Sequence, residues 1–106
     1  MRIAMDQLKQ AQEILLRNGF SKQHERIFSI DQVEGGRGVQ CLVGMDRADD
    51  PNRLEINIRC LERPVEKGKK GADIARVRVI DLAQAPASIQ SAVENAMAAL
   101  ARLANE

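Results

Sequence analysis

The sequence predicts an α+β protein, a two-layer sandwich ordered as helix, four-stranded antiparallel meander sheet and helix, with both helices on one face. Three observations predict it. Apolar residues recur at helical spacing near both ends of the chain, they alternate with period two in between, and glycine-, proline- and aspartate-rich breaks divide that middle region. At 106 residues the chain suits a single domain spanning 1–106. Hydrophobic residues make up 44% and charged residues 29%, which supports a modest core and argues against disorder.

The first helix is expected over Ile3 to Arg17, where Ala4, Leu8, Ala11 and Leu15 fall on one face with Met5 and Ile14 beside them. Asn18-Gly19 ends it, because glycine adopts the left-handed closing conformation without steric cost, and Phe20 then folds back toward Leu15. A first strand follows from Arg26 to Glu34, with Phe28 and Ile30 on one side and Ile27 and Val33 on the other. Gly36-Arg37 is the expected type II′ hairpin turn, which places Phe28 opposite Met45 and Ile30 opposite Val43. Val39, Cys41, Val43 and Met45 form the inward face of the second strand, and Asp46 to Asn52 reads as a turn-rich break.

The third strand has the clearest alternation, with Leu54, Ile56, Ile58 and Cys60 inward and Glu55, Asn57 and Arg59 outward. Arg63 to Ala72 reads as a polar loop, expected to be mobile in isolation and ordered by a partner. Its glycines and lysines resist ordering, and Val65 is its sole sizeable apolar anchor. The fourth strand is expected from Asp73 to Leu82, with Ala75, Val77 and Val79 inward and Arg76 and Arg78 outward. After the connector Ala83 to Pro86, the residues Ile89, Val93, Ala96, Leu100 and Leu103 mark a second amphipathic helix. Short connections favour antiparallel neighbours, and helices on one sheet face bury three apolar surfaces together.

Composition excludes several function classes. The sequence has no Trp or Tyr, and Phe20 and Phe28 are both expected in the core, so base-stacking platforms and aromatic cages are not expected. The net charge of +1 builds in no bulk attraction to nucleic acid or anionic lipid. No apolar run approaches the roughly 20 residues of a membrane span. Charged residues within Met1 to Lys9 interrupt the apolar core a signal peptide needs, so a cytoplasmic location is expected, with no membrane partner.

Motifs for chemistry are sparse. His24 sits in the polar stretch Ser21 to Arg26 and reads as a solvated histidine rather than a general base. Cys41 and Cys60 are too few and too distant in sequence for a zinc site. Their strands would bring them directly opposite or diagonal, and only the former register permits a bridge. A reducing compartment opposes it, so both are expected as free thiols. Gly35 to Gly38 precedes a strand rather than a helix and matches neither phosphate-loop pattern. Asp46, Asp49, Asp50 and Asn52 lack the alternating ligand spacing of a calcium loop. Asp31 and Asp81 have no identifiable catalytic partner. No catalytic residue, metal site or cofactor is therefore expected.

Two surfaces remain. The outward sheet face mixes Ile27, Val33, Leu42, Leu61, Ile80 and Leu82 with Arg59, Arg76 and Arg78, more apolar than a fully solvated face requires. Ile27, Leu42, Arg59, Leu61, Arg76, Arg78 and Ile80 are the expected interface residues, and apolar positions interleaved with arginine fit such a role. The expected function is a non-enzymatic interaction module, an adaptor, assembly factor or inhibitor, acting as a homodimer or on another protein. The alternative is weak, phosphate-directed nucleic-acid binding through Arg37, Arg63, Lys67, Lys69 and Lys70, which the meander gathers at one end of the sheet.

Overall fold

The chain is described by a computed structural model over residues 1–65 and 77–106. Its elements are β1 (Arg2–Ala4), a 3-10 turn (Met5–Gln7), α1 (Leu8–Arg17), β2 (Ser21–His24), β3 (Ile27–Glu34), β4 (Arg37–Arg47), β5 (Arg53–Pro64), β6 (Arg78–Ile80), a second 3-10 turn (Leu82–Gln84) and α2 (Ala87–Ala104). The sheet order is β1-β5-β4-β3-β2, and β6 pairs with β5 as well. All pairings among the described residues are antiparallel.

The α+β class holds, but the sheet has six strands among the described residues rather than four. β1 takes the first residues of the expected helix, which begins at Leu8 after the 3-10 turn. Gln7 supports that start: its side-chain oxygen accepts from the Ala4 amide at 2.8 Å, and its NH2 donates to the Leu103 carbonyl at 3.0 Å. β2 carries no apolar alternation because all four of its residues are exposed. It is a short, polar edge with a register shift between Lys22 and His24, features that discourage further strand pairing.

α1 ends as its sequence predicts. Gly19 has φ 87°, the Gly19 amide donates to Leu16 O, and the Phe20 amide donates to Leu15 O, the paired closure of a Schellman motif. Phe20 is buried in the core cluster that also contains Leu15.

The β3–β4 turn is displaced by one residue from its expected position. Gly35 and Gly36 form it, with φ of 58° and 78°, and Glu34 pairs with Arg37. Two adjacent glycines permit the doubly left-handed type I′ turn, whose twist matches the strands. Phe28 therefore faces Val43 and Ile30 faces Cys41. This differs from the expected pairing by two residues, so every side chain keeps its expected face.

β6 shows the opposite outcome. Ile80 pairs with Cys60 and is buried, Arg78 pairs with Glu62, and Val79 pairs with Leu61 with 70% of its surface exposed. Ile80 and Arg78 thus occupy the core side of the sheet and Val79 the outward side. A one-residue change of register reverses every side chain of a strand. The expected strand over Asp73 to Leu82 shrinks to Arg78–Ile80, and its residues 73–76 lie outside the described residues. Leu82 also leaves the outward face, turning in the second 3-10 turn to pack against the core.

Ala11 and Leu15 of α1 and Ile89, Val93, Ala96, Leu100 and Leu103 of α2 share one buried cluster with the inward sheet residues. Within that cluster Phe28, Val43, Met45 and Leu54 are fully enclosed. Ile58 departs from the expected inward set. It is 38% exposed because β1 pairs with β5 only at Arg53 to Glu55 and β6 only at Cys60 to Glu62, leaving a gap beside it. Cys41 and Cys60 lie directly opposite each other with Cα atoms 4.2 Å apart and form a disulfide, which corrects the expectation of free thiols. That separation is typical of a narrow, non-hydrogen-bonded antiparallel pair, the geometry that brings side chains closest.

Candidate interaction surface

The outward face is built by alternation along three paired strands. Successive cross-strand rows place Val33 beside Gly38 and Arg63, then Asp31 beside Gln40, Leu61 and Val79, then Ser29 beside Leu42 and Arg59, and then Ile27 beside Gly44 and Asn57. The predicted interface residues Ile27, Leu42, Arg59 and Leu61 are therefore brought together. Ile80 and Arg78 are not, being on the other side of the sheet, and Arg76 lies outside the described residues.

Ile27 is 43% exposed, Val33 64% and Val79 70%, while Leu42 and Leu61 are half-buried between them. Val79 is the member that alternation in the sequence assigned to the wrong side. Its partner Leu61 was correctly placed outward, so the signal needed was the β5–β6 register rather than any property of Val79. Ser29 is fully buried on this face, where the Gln23 side-chain amide donates to its hydroxyl at 2.8 Å. At the hairpin end a shallow concavity of about 270 Å³ is lined by Asp31, Val33, Gln40, Leu61 and Arg63, among others. It lies at Gly38, which contributes no side chain. A Cβ there would stand 3.2 Å from Val65 Cγ2 and 3.4 Å from Arg63 Nε.

Of the basic end, the structure describes Arg37 and Arg63. Arg37 and Arg63 meet at the same end of the sheet, paired with Pro64 and Gly38 respectively, but on opposite faces. The Arg37 guanidinium donates to Glu62 at 2.6 Å and to the Gln84 carbonyl at 2.8 Å. Arg78 donates to the other Glu62 oxygen at 3.1 Å. Glu62 thus bridges two arginines on the core side. A Ser88–Gln32 hydrogen bond joins the start of α2 to the same end of the sheet. Lys67, Lys69 and Lys70 lie outside the described residues, as does most of the loop expected over Arg63 to Ala72. The first part of that segment is ordered: β5 continues to Pro64, and the Val65 amide donates to Gly36 O at 2.8 Å.

The remaining candidates form local structure. His24 is exposed, and its Nδ1 accepts from the Arg26 amide at 3.3 Å. Asp50 closes the β4–β5 turn, its carboxylate accepting from the Asn52 amide and its carbonyl from the Arg53 amide. Asp31 lines the outward concavity, whereas Asp81 follows β6 and precedes the second 3-10 turn. Among the described residues no cluster of three or more His, Cys, Asp or Glu side chains is arranged to hold a metal. No helix among them is long and apolar enough to cross a membrane.

Fold and surface together define an α+β protein whose sheet is covered by two helices on one side and carries exposed branched apolar residues on the other. Comparisons with protein families, curated proteins and solved structures give no match.

Proposed function

We propose that this chain is a non-enzymatic interaction module, an adaptor, assembly factor or inhibitor, that acts as a homodimer through the outward sheet face. The supporting observation is the exposure of Ile27, Val33 and Val79 on one face, with Leu42 and Leu61 between them. Exposed apolar residues on β3 and β6, bridged by half-buried leucines on β4 and β5, form a surface rather than scattered single positions. Arg59, paired with Leu42, adds a side chain enriched at protein interfaces.

Size supports the reading. The face of the adjoining strands β3 to β6, at about 3.3 Å rise per residue and about 4.8 Å between strands, has a projected area of roughly 500–550 Å² per protomer. Biological interfaces bury upward of about 1,000 Å² in total, so two such faces reach the lower end of that range. Stacked sheets pack about 10 Å apart with inner side chains interdigitating, and that geometry suits the half-buried leucines. For the nucleic-acid alternative, Glu62 and Gln84 already engage the Arg37 guanidinium, while Lys67, Lys69 and Lys70 lie outside the described residues.

Sedimentation equilibrium at micromolar concentration tests the dimer. The wild-type chain is expected at twice its monomer mass, and Leu42→Glu is expected at the monomer mass with an unchanged circular-dichroism spectrum. A wild-type protein that sediments as a strict monomer removes the proposal.

A further inference from the structure

The core side of the sheet contains one cross-strand row, Ile30–Cys41–Cys60–Ile80, that runs from β3 through the disulfide to β6. Both cysteines are buried, at 0% and 3% exposure, and Ile80 closes the row at 7%. We infer that the Cys41–Cys60 pair is a redox-controlled clasp whose oxidised form holds β6 on the sheet and whose reduction loosens β6 selectively.

The argument is one of volume and of unequal supports. In the disulfide the two sulfurs occupy a single bonded space, whereas two thiols need separate van der Waals volumes. Protein interiors are close-packed, so added volume displaces neighbours instead of filling slack. Along this row the displacement meets Ile30 at one end and Ile80 at the other. Ile30 belongs to an eight-residue strand paired on both sides along part of its length. Ile80 belongs to a three-residue strand paired to β5 through Cys60, Leu61 and Glu62. Elements with few pairings and exposed neighbours open at the lowest free energy, and Val79 at the middle of β6 is largely exposed. β6 is the end that yields.

The same element controls access. A reductant reaches the buried sulfurs when β6 lifts from Cys60, so the strand that responds to reduction also admits the reductant. The chemistry is thiol–disulfide exchange. A small-molecule thiolate attacks one sulfur, the Cys41–Cys60 bond breaks to give a mixed disulfide, and a second thiol releases it. Two protein thiols form as two equivalents of external thiol become one external disulfide.

The test uses the full chain. Alkylation under denaturing conditions without reductant, read by intact mass, is expected to add nothing to the air-oxidised protein; addition of two adducts overturns the inference. Amide exchange followed by NMR is then compared in oxidised and dithiothreitol-reduced samples. Exchange at Arg78 to Ile80 is expected to accelerate roughly tenfold on reduction through local opening that dilute urea does not change, whereas β3 amides accelerate only in step with global unfolding and respond to urea as it does. No change in β6, or β6 exchange that follows urea as β3 exchange does, overturns the inference. In the Cys41→Ala/Cys60→Ala protein, dithiothreitol is expected to leave β6 exchange unchanged, and an effect there would refute a role for the cysteines.

Discussion

The two faces of the sheet are made largely from the same three long strands, with β6 adding Val79 to the outward one, yet they follow different rules. On the inward face Phe28, Val43, Met45 and Leu54 are fully enclosed by α1 and α2. On the outward face Ile27, Val33 and Val79 remain exposed, although they are the same kinds of residue. Burial therefore depends less on residue type than on which side the alternation presents to the helices. Hydrophobic side chains on the uncovered side retain an unsatisfied drive to leave water, which is the physical content of the proposed dimer.

Substitutions sharpen that contrast, beginning with the inward face. Phe28→Ala is expected to lower stability by about 3–5 kcal/mol in urea unfolding, because the enclosed site cannot collapse around the lost ring. Removing both cysteines by Cys41→Ala/Cys60→Ala is expected to cost about 3 kcal/mol under oxidising conditions, from the 19-residue separation that the bridge closes. Under reducing conditions most of that difference should disappear, and equal losses in both buffers would contradict a stabilising bridge.

The hairpin that sets the two faces gives a smaller effect. Gly36→Ala is expected to cost about 1–2 kcal/mol through its left-handed backbone alone, since a Cβ there meets nothing closer than Val65 O at 4.0 Å. Arg37→Ala breaks a partly exposed ion pair and is expected to change stability by under about 1 kcal/mol, less at high salt. Leu42→Glu on the outward face should change the stability of the folded monomer by about 1 kcal/mol or less, well short of the loss from Phe28→Ala. A loss comparable to that of Phe28→Ala would abolish the contrast between the faces.

Much of the inward face was legible because alternation is a local property. Val39, Cys41, Val43 and Met45 are buried as their spacing predicts, and even a displaced hairpin turn left them on the correct side. The outward face was legible in part for the same reason, through Ile27, Leu42, Arg59 and Leu61. β2 was not, because an exposed polar edge strand leaves no hydrophobic period to read. β6 was misassigned because both of its faces carry plausible residues: valine and isoleucine occupy successive positions, and local pattern cannot choose between them.

The sequence by itself determined the two amphipathic helices, the glycine closure of α1 and the alternating strands β3, β4 and β5, all of which depend on neighbours within a few residues. Tertiary structure alone decided that Cys41 meets Cys60, that Ile80 points inward while Val79 points out, and that Glu62 takes up Arg37 and Arg78. Each depends on register between strands distant in the chain. A pairing offset of one residue reverses a face and an offset of two preserves it, and the pairing of β6 with β5 is fixed by where the buried side chains pack together.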